Sequence, residues 1–335
     1  MNKRRIGQFT TPPVAFGCMN VSHAYGNPPP EKQSVALLNQ ALDQGYAMLD
    51  TAALYGFGSN ESLLAKAVGH RRNEYLLASK CGMFKGSDGK KAIDGRPESI
   101  RQTCEDSLRR LNTDVIDLYY LHRWDKSVPI EDSIGALSRL VDEGKIREIG
   151  LSEVSATTLE KAHKVHSIAA VQSEYSLWTR NPEIALLEKC QQLGTAMVAF
   201  SPLGRGALTG KIRTTENFAA NDIRRAMPRF TKENYANNLT LIDQLYEVSA
   251  ASVQPGSTPV SLAQLTLAWV IAQGENVIAL PGTTSTSHLI ENFQAGNLQL
   301  DSTTLDALNR VMNQRTVFGP RYNETTQQEI DTEEF

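Results

Sequence analysis

Short runs rich in β-branched and aliphatic residues recur along the chain: VAFGCM from Val14, AMLDTA from Ala47, YLLASK from Tyr75, VIDLYYLH from Val115, IREIGLS from Ile146, IAAVQSEY from Ile168, TAMVAFS from Thr195 and NVIALPG from Asn276. Their apolar character is nearly continuous, the mark of strands buried on both faces. Between them lie stretches of helical period. Val35, Leu38 and Leu42 make one apolar stripe, and Val260, Ala263, Leu267 and Ile271 another, both suited to packing against a sheet. Asn181-Pro182-Glu183 and Thr258-Pro259 read as an N-cap followed by proline at the first helical position. Gly45, Gly69, Gly144, Gly194 and Gly274 read as helix stops just before the next strand.

Eight strands in strict alternation with helices, and no linker, predict one parallel sheet and a single α/β domain over residues 1–335. Eight units predict closure into a (β/α)8 TIM barrel, with an open doubly wound sheet as the competing architecture. A dinucleotide-binding open sheet would carry G-x-G-x-x-G directly after its first strand, where this chain has GCMNVSHAYG. PLGRGALTGK after the seventh run is glycine-rich but lacks the GK[ST] ending of a P-loop. Lys85 to Gly95, Thr214 to Asn234 and the tail from Thr316 to Phe335 exceed ordinary loop length and read as irregular, functional segments.

With 41% apolar and 21% charged residues the chain of 335 residues can bury a large core. A formal charge of −3 excludes nucleic acid and anionic membrane as default electrostatic partners and favours a small metabolite. Cys18, Cys81, Cys104 and Cys190 lack C-x-x-C spacing, which argues against zinc or a disulfide framework and fits a reducing, cytoplasmic setting. Neither the N-terminal segment nor Leu262 to Ala272 has an apolar stretch long enough for secretion or for crossing a bilayer.

Catalytic groups of a β/α barrel sit where strands end, so the polar residues closing each apolar run are the candidates. They are Asp50, Lys80, His122, Ser152, Gln172 and Ser201, with Gly282 after the last run and Tyr55 five residues beyond Asp50. A phenol near an ammonium can protonate a developing alkoxide if its pKa, ordinarily about 10, is drawn toward neutrality. Lys80 would supply the cation, Asp50 would hold Lys80, and His122 would orient a carbonyl. That set suits hydride transfer, in which a cofactor carries the hydride and the protein one proton. No His or carboxylate cluster closes neighbouring strands, so no metal is expected, and His163 and His166 read as surface residues. Tyr25, Phe57 and Trp124, with Trp178, are expected to form an aromatic pocket mouth, and Tyr322 in the tail to close it.

GYAMLDTAALYG, LLASK and DLYYLH, in that order, resemble the signature segments of the aldo-keto reductase superfamily, and the resemblance runs from about Val14 to Asn292. GLSEVS, VQSEYSLWTR, AFSPLGRGALTGK and RFTKEN look like a bacterial and plant branch that includes perakine reductase-like enzymes. The resemblance implies a barrel preceded by an N-terminal β-hairpin, with extra helices and a C-terminal tail. It also implies NADPH as cofactor, a small carbonyl substrate and Tyr55 as proton donor. Ser152 and Gln172 match positions that hold the nicotinamide carboxamide, with Asp50 beside them, and Phe200 the ring that packs on the nicotinamide. Ser201, Pro202, Leu203, Gly206 and Lys211 match the segment around the pyrophosphate. Gly282, Thr284, His288, Glu291 and Asn292 match the adenosine end.

Two positions depart from that pattern. Many relatives have Asn after the fifth-strand Ser, whereas Glu153 can accept from a carboxamide NH2 but cannot donate. PGTTSTSH offers a 2′-phosphate only hydroxyls and His288, which leaves NADH open beside NADPH unless Lys211, Arg224, Arg225 and Arg229 compensate from a segment 214–234 folded over the cofactor. Two other functions stay open: an NADPH-binding regulatory subunit with little turnover, like the potassium-channel β subunits of the superfamily, and a metal-dependent barrel hydrolase.

Overall fold

The computed structural model describes residues 1–86, 89–251 and 260–335. A hairpin of β1 (Arg4–Ile6) and β2 (Phe9–Thr11) precedes the barrel strands β3 (Phe16–Gly17), β4 (Met48–Asp50) and β5 (Leu76–Cys81). A second hairpin, β6 (Met83–Lys85) with β7 (Lys91–Ile93), follows β5, and the barrel continues through β8 (Ile116–Leu121), β9 (Ile146–Ser152), β10 (Ile168–Glu174), β11 (Ala196–Phe200) and β12 (Val277–Leu280). The helices are α1 (Glu31–Gln44), α2 (Ser59–Val68), α3 (Pro97–Leu111), α4 (Ile130–Asp142), α5 (Ala156–Val165), α6 (Leu186–Leu193), α7 (Lys232–Ala251), α8 (Leu262–Ile271), α9 (Thr286–Gln294), α10 (Ser302–Val311) and α11 (Glu324–Gln328). None of the described helices is long and apolar enough to cross a membrane.

The eight-stranded sheet is parallel throughout and runs in chain order from β3 to β12. It closes where Ala279 N donates to Pro13 O and Ala15 N to Ala279 O, both at 2.9 Å, and Gly17 N to Pro281 O at 3.0 Å. The (β/α)8 barrel expected from the apolar runs is the architecture found. Period-two alternation sends Met48, Ala78, Leu118, Ala170, Val198 and Ile278 into the barrel. Leu49, Leu77, Tyr119, Val171 and Met197 face outward against the helices. Tyr120 fills the interior because Gly150 opposite has no side chain: a Cβ there would stand 2.3 Å from the ring. Ile6 and Phe9 of the first hairpin join the interior cluster and stop the amino end of the barrel.

Several local expectations are corrected. Lys85 to Gly95 is not irregular throughout: Met83 pairs with Ile93 and Lys85 with Lys91 across an antiparallel ladder. Asn181-Pro182-Glu183 is itself a 3-10 turn, capped by Arg180, and α6 starts later at Leu186. Gly45 and Gly194 end their helices at φ 104° and 67°, whereas Gly69 stays right-handed and leads into a 3-10 turn, Gly69–Glu74. The expected cap at Thr258-Pro259 lies outside the described residues.

The tail is strapped across the carboxyl end of the barrel. Asp331 N donates to Glu153 O at 3.0 Å, and the Asp331 carboxylate accepts from Thr158 Oγ1 at 2.6 Å and Ser155 Oγ at 3.0 Å. Glu333 Oε1 accepts from Ala156 N at 2.7 Å, so two tail carboxylates sit on the positive end of α5. Lys126 Nζ donates to Ile330 O at 2.7 Å and ties the tail to the loop after β8.

Candidate active site

Because inward positions recur every second residue, Asp50 on β4, Lys80 on β5 and Gln172 on β10 all point into the mouth of the barrel. Lys80 is fully buried and forms an ion pair with Asp50. Its Nζ also donates to Thr51 O at 2.8 Å and to Tyr55 Oη at 3.2 Å. Gln172 Nε2 donates to Asp50 Oδ2 at 2.8 Å. Tyr55 is presented by a turn in which Gly56, Phe57 and Gly58 all have positive φ, 56°, 50° and 93°. Asn60 pins that turn, donating to Cys18 O and Ser22 Oγ at 2.8 Å each while accepting from Thr51 Oγ1 at 2.6 Å. The His122 ring meets Tyr55 edge-on at 5.9 Å between centroids.

Burial opposes the charge on Lys80, yet Asp50 and Tyr55 carry its pKa above the ordinary lysine value, so the ammonium persists. Tyr55 departs from expectation. Burial raises its phenol above the ordinary value of 10, and Lys80 recovers only part of the difference because Asp50 already offsets its charge. Burial, with Arg123 and Lys80 nearby, holds His122 well below 6.5, so the imidazole is neutral at neutral pH. The arrangement offers a protonated phenol backed by a fixed cation beside a neutral imidazole, the equipment for delivering one proton to a developing alkoxide.

A cavity of about 830 Å³ opens above this group. Asp50, Tyr55 and His122 line it, with Lys80 buried beneath. Ser152, Gln172 and Phe200 line the same cavity, followed by Ser201, Pro202, Leu203, Gly206 and Lys211, and then by Gly282, Thr284, His288, Glu291 and Asn292. Ser201, Gly204, Arg205, Gly206 and Gly210 all have positive φ, between 49° and 93°, in a tightly wound loop where Gly204 N donates to Ser201 O at 2.9 Å and Gly206 N to Leu203 O at 3.0 Å. Lys211 Nζ lies 3.0 Å from His288 Nε2. Tyr25 and Tyr322 line the cavity as expected.

Other aromatic residues do not reach it. The left-handed turn after Tyr55 swings Phe57 outward, where it is 49% exposed under Lys85 Nζ. Trp124 packs against the outer core, its Nε1 donating to Val128 O at 2.9 Å. Trp178 is buried beside Phe230, directly under Gly204. His23, Arg123 and Arg205, absent from the sequence-based set, do line the cavity. The His23 ring packs at a tilt against Tyr55, 5.5 Å between centroids, and Arg123 follows His122 directly, so adjacency to a candidate was a usable signal for Arg123 alone.

The model of the aldo/keto reductase family matches residues 13–313. The chain belongs to that family. It is 39% identical over 327 residues to aldo-keto reductase yakc of Schizosaccharomyces pombe, named for NADP+, which covers 95% of this chain and 94% of the relative. Among solved structures it is similar to a glycerol dehydrogenase of Gluconobacter oxydans, with TM-score 0.84, 29% identity and coverage of 95% and 97% of the two chains. It is also similar to an aldo-keto reductase of Klebsiella pneumoniae in complex with NADPH, with TM-score 0.70, 27% identity and coverage of 96% and 99%.

In this aldo/keto reductase the charges around the cavity are mostly committed. Glu153, at φ 58°, turns its carboxylate away from the cavity, accepting from Glu174 N at 2.9 Å and pairing with Arg321 of the tail. Arg224 is spent on Asp222 at 2.6 Å, Arg225 is exposed, and Arg229 donates to Thr179 Oγ1 at 2.6 Å. The compensating role considered for those three arginines therefore has no support, and Lys211 alone of that set stands in the cavity without a carboxylate among the described residues. Glu174 gathers Arg205 at 2.7 Å and Arg321 at 3.3 Å, with Tyr322 Oη at 3.5 Å. Burial alone would raise its carboxyl, but Arg205, Arg321 and Arg229 pull it down to about 2. Its contribution to stability is therefore complete above about pH 4.3 and is lost as pH falls through about 2. Glu174→Gln strands these cations and is expected to cost about 3–5 kcal/mol in thermal unfolding and to expose the tail to limited proteolysis at neutral pH.

Proposed function

We propose that this protein catalyses the reversible NADPH-dependent reduction of an aldehyde or ketone to an alcohol, with Tyr55 as proton donor. The observation that carries this is the contact of Lys80 Nζ, itself anchored on Asp50, with Tyr55 Oη at 3.2 Å under the cavity. As an aldo/keto reductase the chain is an NAD(P)H-dependent oxidoreductase. NADP+ in the name of the fission yeast relative and NADPH in the Klebsiella complex support NADPH, with NADH the second candidate.

The cavity residues fit such a cofactor. Ser152 and Gln172 would hold the carboxamide and Phe200 would pack on the nicotinamide. The left-handed turn from Ser201 to Gly210, with Lys211, would take the pyrophosphate, and Gly282, Thr284, His288, Glu291 and Asn292 the adenosine end. A Cβ at Gly282 would stand 2.9 Å from Gly17 O, so only glycine lets the chain pass here. When bound, the cofactor supplies hydride to the carbonyl carbon.

The remaining work falls to the protein. Neutral His122 orients the carbonyl oxygen, Tyr55 Oη gives its proton to that oxygen, and Lys80 holds the phenolate as it forms. Asp50 keeps Lys80 charged and in place. A regulatory protein with little turnover would not need this aligned donor. Tyr55→Phe is expected to lower turnover by roughly 10²- to 10⁴-fold while cofactor fluorescence quenching on binding stays unchanged; retained turnover contradicts the assignment. Since burial raises Tyr55 above 10 and holds His122 well below 6.5, neither group titrates between pH 6.5 and about 9. Reductive kcat/KM should be flat there and decline only in more alkaline solution, where the phenol loses its proton. A pH-rate profile that bends near pH 7 contradicts this.

A further inference from the structure

Five cations line the cavity: Lys91, Arg123, Arg205, Lys211 and Arg224. Three are paired, Lys91 with Glu329 at 2.6 Å, Arg205 with Glu174 at 2.7 Å and Arg224 with Asp222 at 2.6 Å. Arg123 and Lys211 have no carboxylate within ion-pair distance among the described residues. Lys211 stands at the end assigned to the cofactor's phosphates, where the ligand brings the counter-charge. Arg123 stands at the other end, directly after His122.

The guanidinium of Arg123 is held but not satisfied. Its Nη1 donates to His122 O at 2.6 Å and to Ser152 Oγ at 3.3 Å, which fixes the group across the ends of β8 and β9. Its Nε is buried with no hydrogen-bond partner. A guanidinium carries five N–H donors and stays charged at every accessible pH, and leaving such donors without partners away from water costs free energy that a carboxylate recovers in a bidentate pair. The same cavity also has apolar lining, including Met19, Met83 and Tyr25. The neighbouring carboxylates Asp50 and Glu329 are each engaged by a lysine. An anion entering beside His122 thus meets one free cation and no uncompensated negative charge.

We infer that Arg123 is a specificity-determining residue that selects carbonyl substrates bearing a carboxylate close to the reacting carbonyl. This rests on the carbonyl-reductase reading of the cavity and narrows its substrate class. Two acid and ester pairs test it: phenylglyoxylate and 3-formylbenzoate, each against its methyl ester. In the wild type kcat/KM should favour the acid, relative to the intrinsic reactivity of each pair, and Arg123→Met should lower the acid-to-ester ratio by about tenfold or more in at least one pair. Arg123→Lys, which keeps the charge but not the fork, should retain part of the preference. Equal losses for acid and ester in Arg123→Met would mean that the residue only braces Ser152, and would overturn the proposal.

A binding readout separates this from the reading beneath it. Benzoate, but not benzamide, should titrate the cofactor fluorescence of the NADPH-loaded wild type, and Arg123→Met should abolish the difference. Benzoate binding through Arg123 without reduction of any carbonyl would sink the reductase reading and leave the anion site standing. Ester reduction with no benzoate discrimination would sink the anion site and leave the reductase.

Discussion

The mouth of the barrel contains an ammonium group with no exposed surface, and the rest of the site is arranged around making it tolerable. Lys80 would lose its proton or unfold its surroundings if Asp50 were not beside it, since an isolated buried charge costs several kcal/mol. Asp50 is in turn held by Gln172 from the far side of the barrel. Three strands must therefore point the correct alternate residue inward at the same level. A one-residue slip of any of them would replace a member of the set with an outward-facing neighbour such as Leu49, Ser79 or Val171. The closed sheet is what makes such a slip expensive, and the packed interior below, from the Ile6 and Phe9 plug to Tyr120, leaves the polar layer only at the carboxyl end.

A second charge system extends the site upward. Arg205 sits within the left-handed turn assigned to the pyrophosphate, and it shares Glu174 and Tyr322 with Arg321 of the tail. The loop after β11 and the tail, both of which line the cavity, are thus joined by the same carboxylate. Asp331 and Glu333 fix the tail on α5, so a chain end far from the catalytic strands in sequence becomes a wall of the pocket.

The apolar runs made the eight strands legible, because burial on both faces leaves nearly continuous hydrophobic sequence. The first polar residue after each run then pointed to the site, which is how Asp50, Lys80, His122, Ser152 and Gln172 could be found. What escaped has a common cause. His23, Arg205 and the Glu153–Arg321 pair lie in loops or depend on partners more than a hundred residues away, and no periodicity marks them. Phe57 and Trp124 were expected at the rim from proximity in sequence, but backbone φ 50° at Phe57 and a hydrogen bond to Val128 at Trp124 turn each elsewhere. The β6–β7 hairpin was hidden because each strand has only three residues, Met83–Lys85 and Lys91–Ile93, too few to show a period.

Catalysis as proposed depends most on Lys80 acting as the fixed positive charge behind the Tyr55 phenol. Its most direct measurement is single-turnover reduction by Lys80→Met, made together with Asp50→Asn so that no buried charge is left unpaired, alongside NADPH fluorescence quenching. The expected result is a fall of roughly 100-fold or more in the reductive rate with the cofactor still bound. A rate within a few-fold of the wild type would show that the ammonium is there for the fold alone.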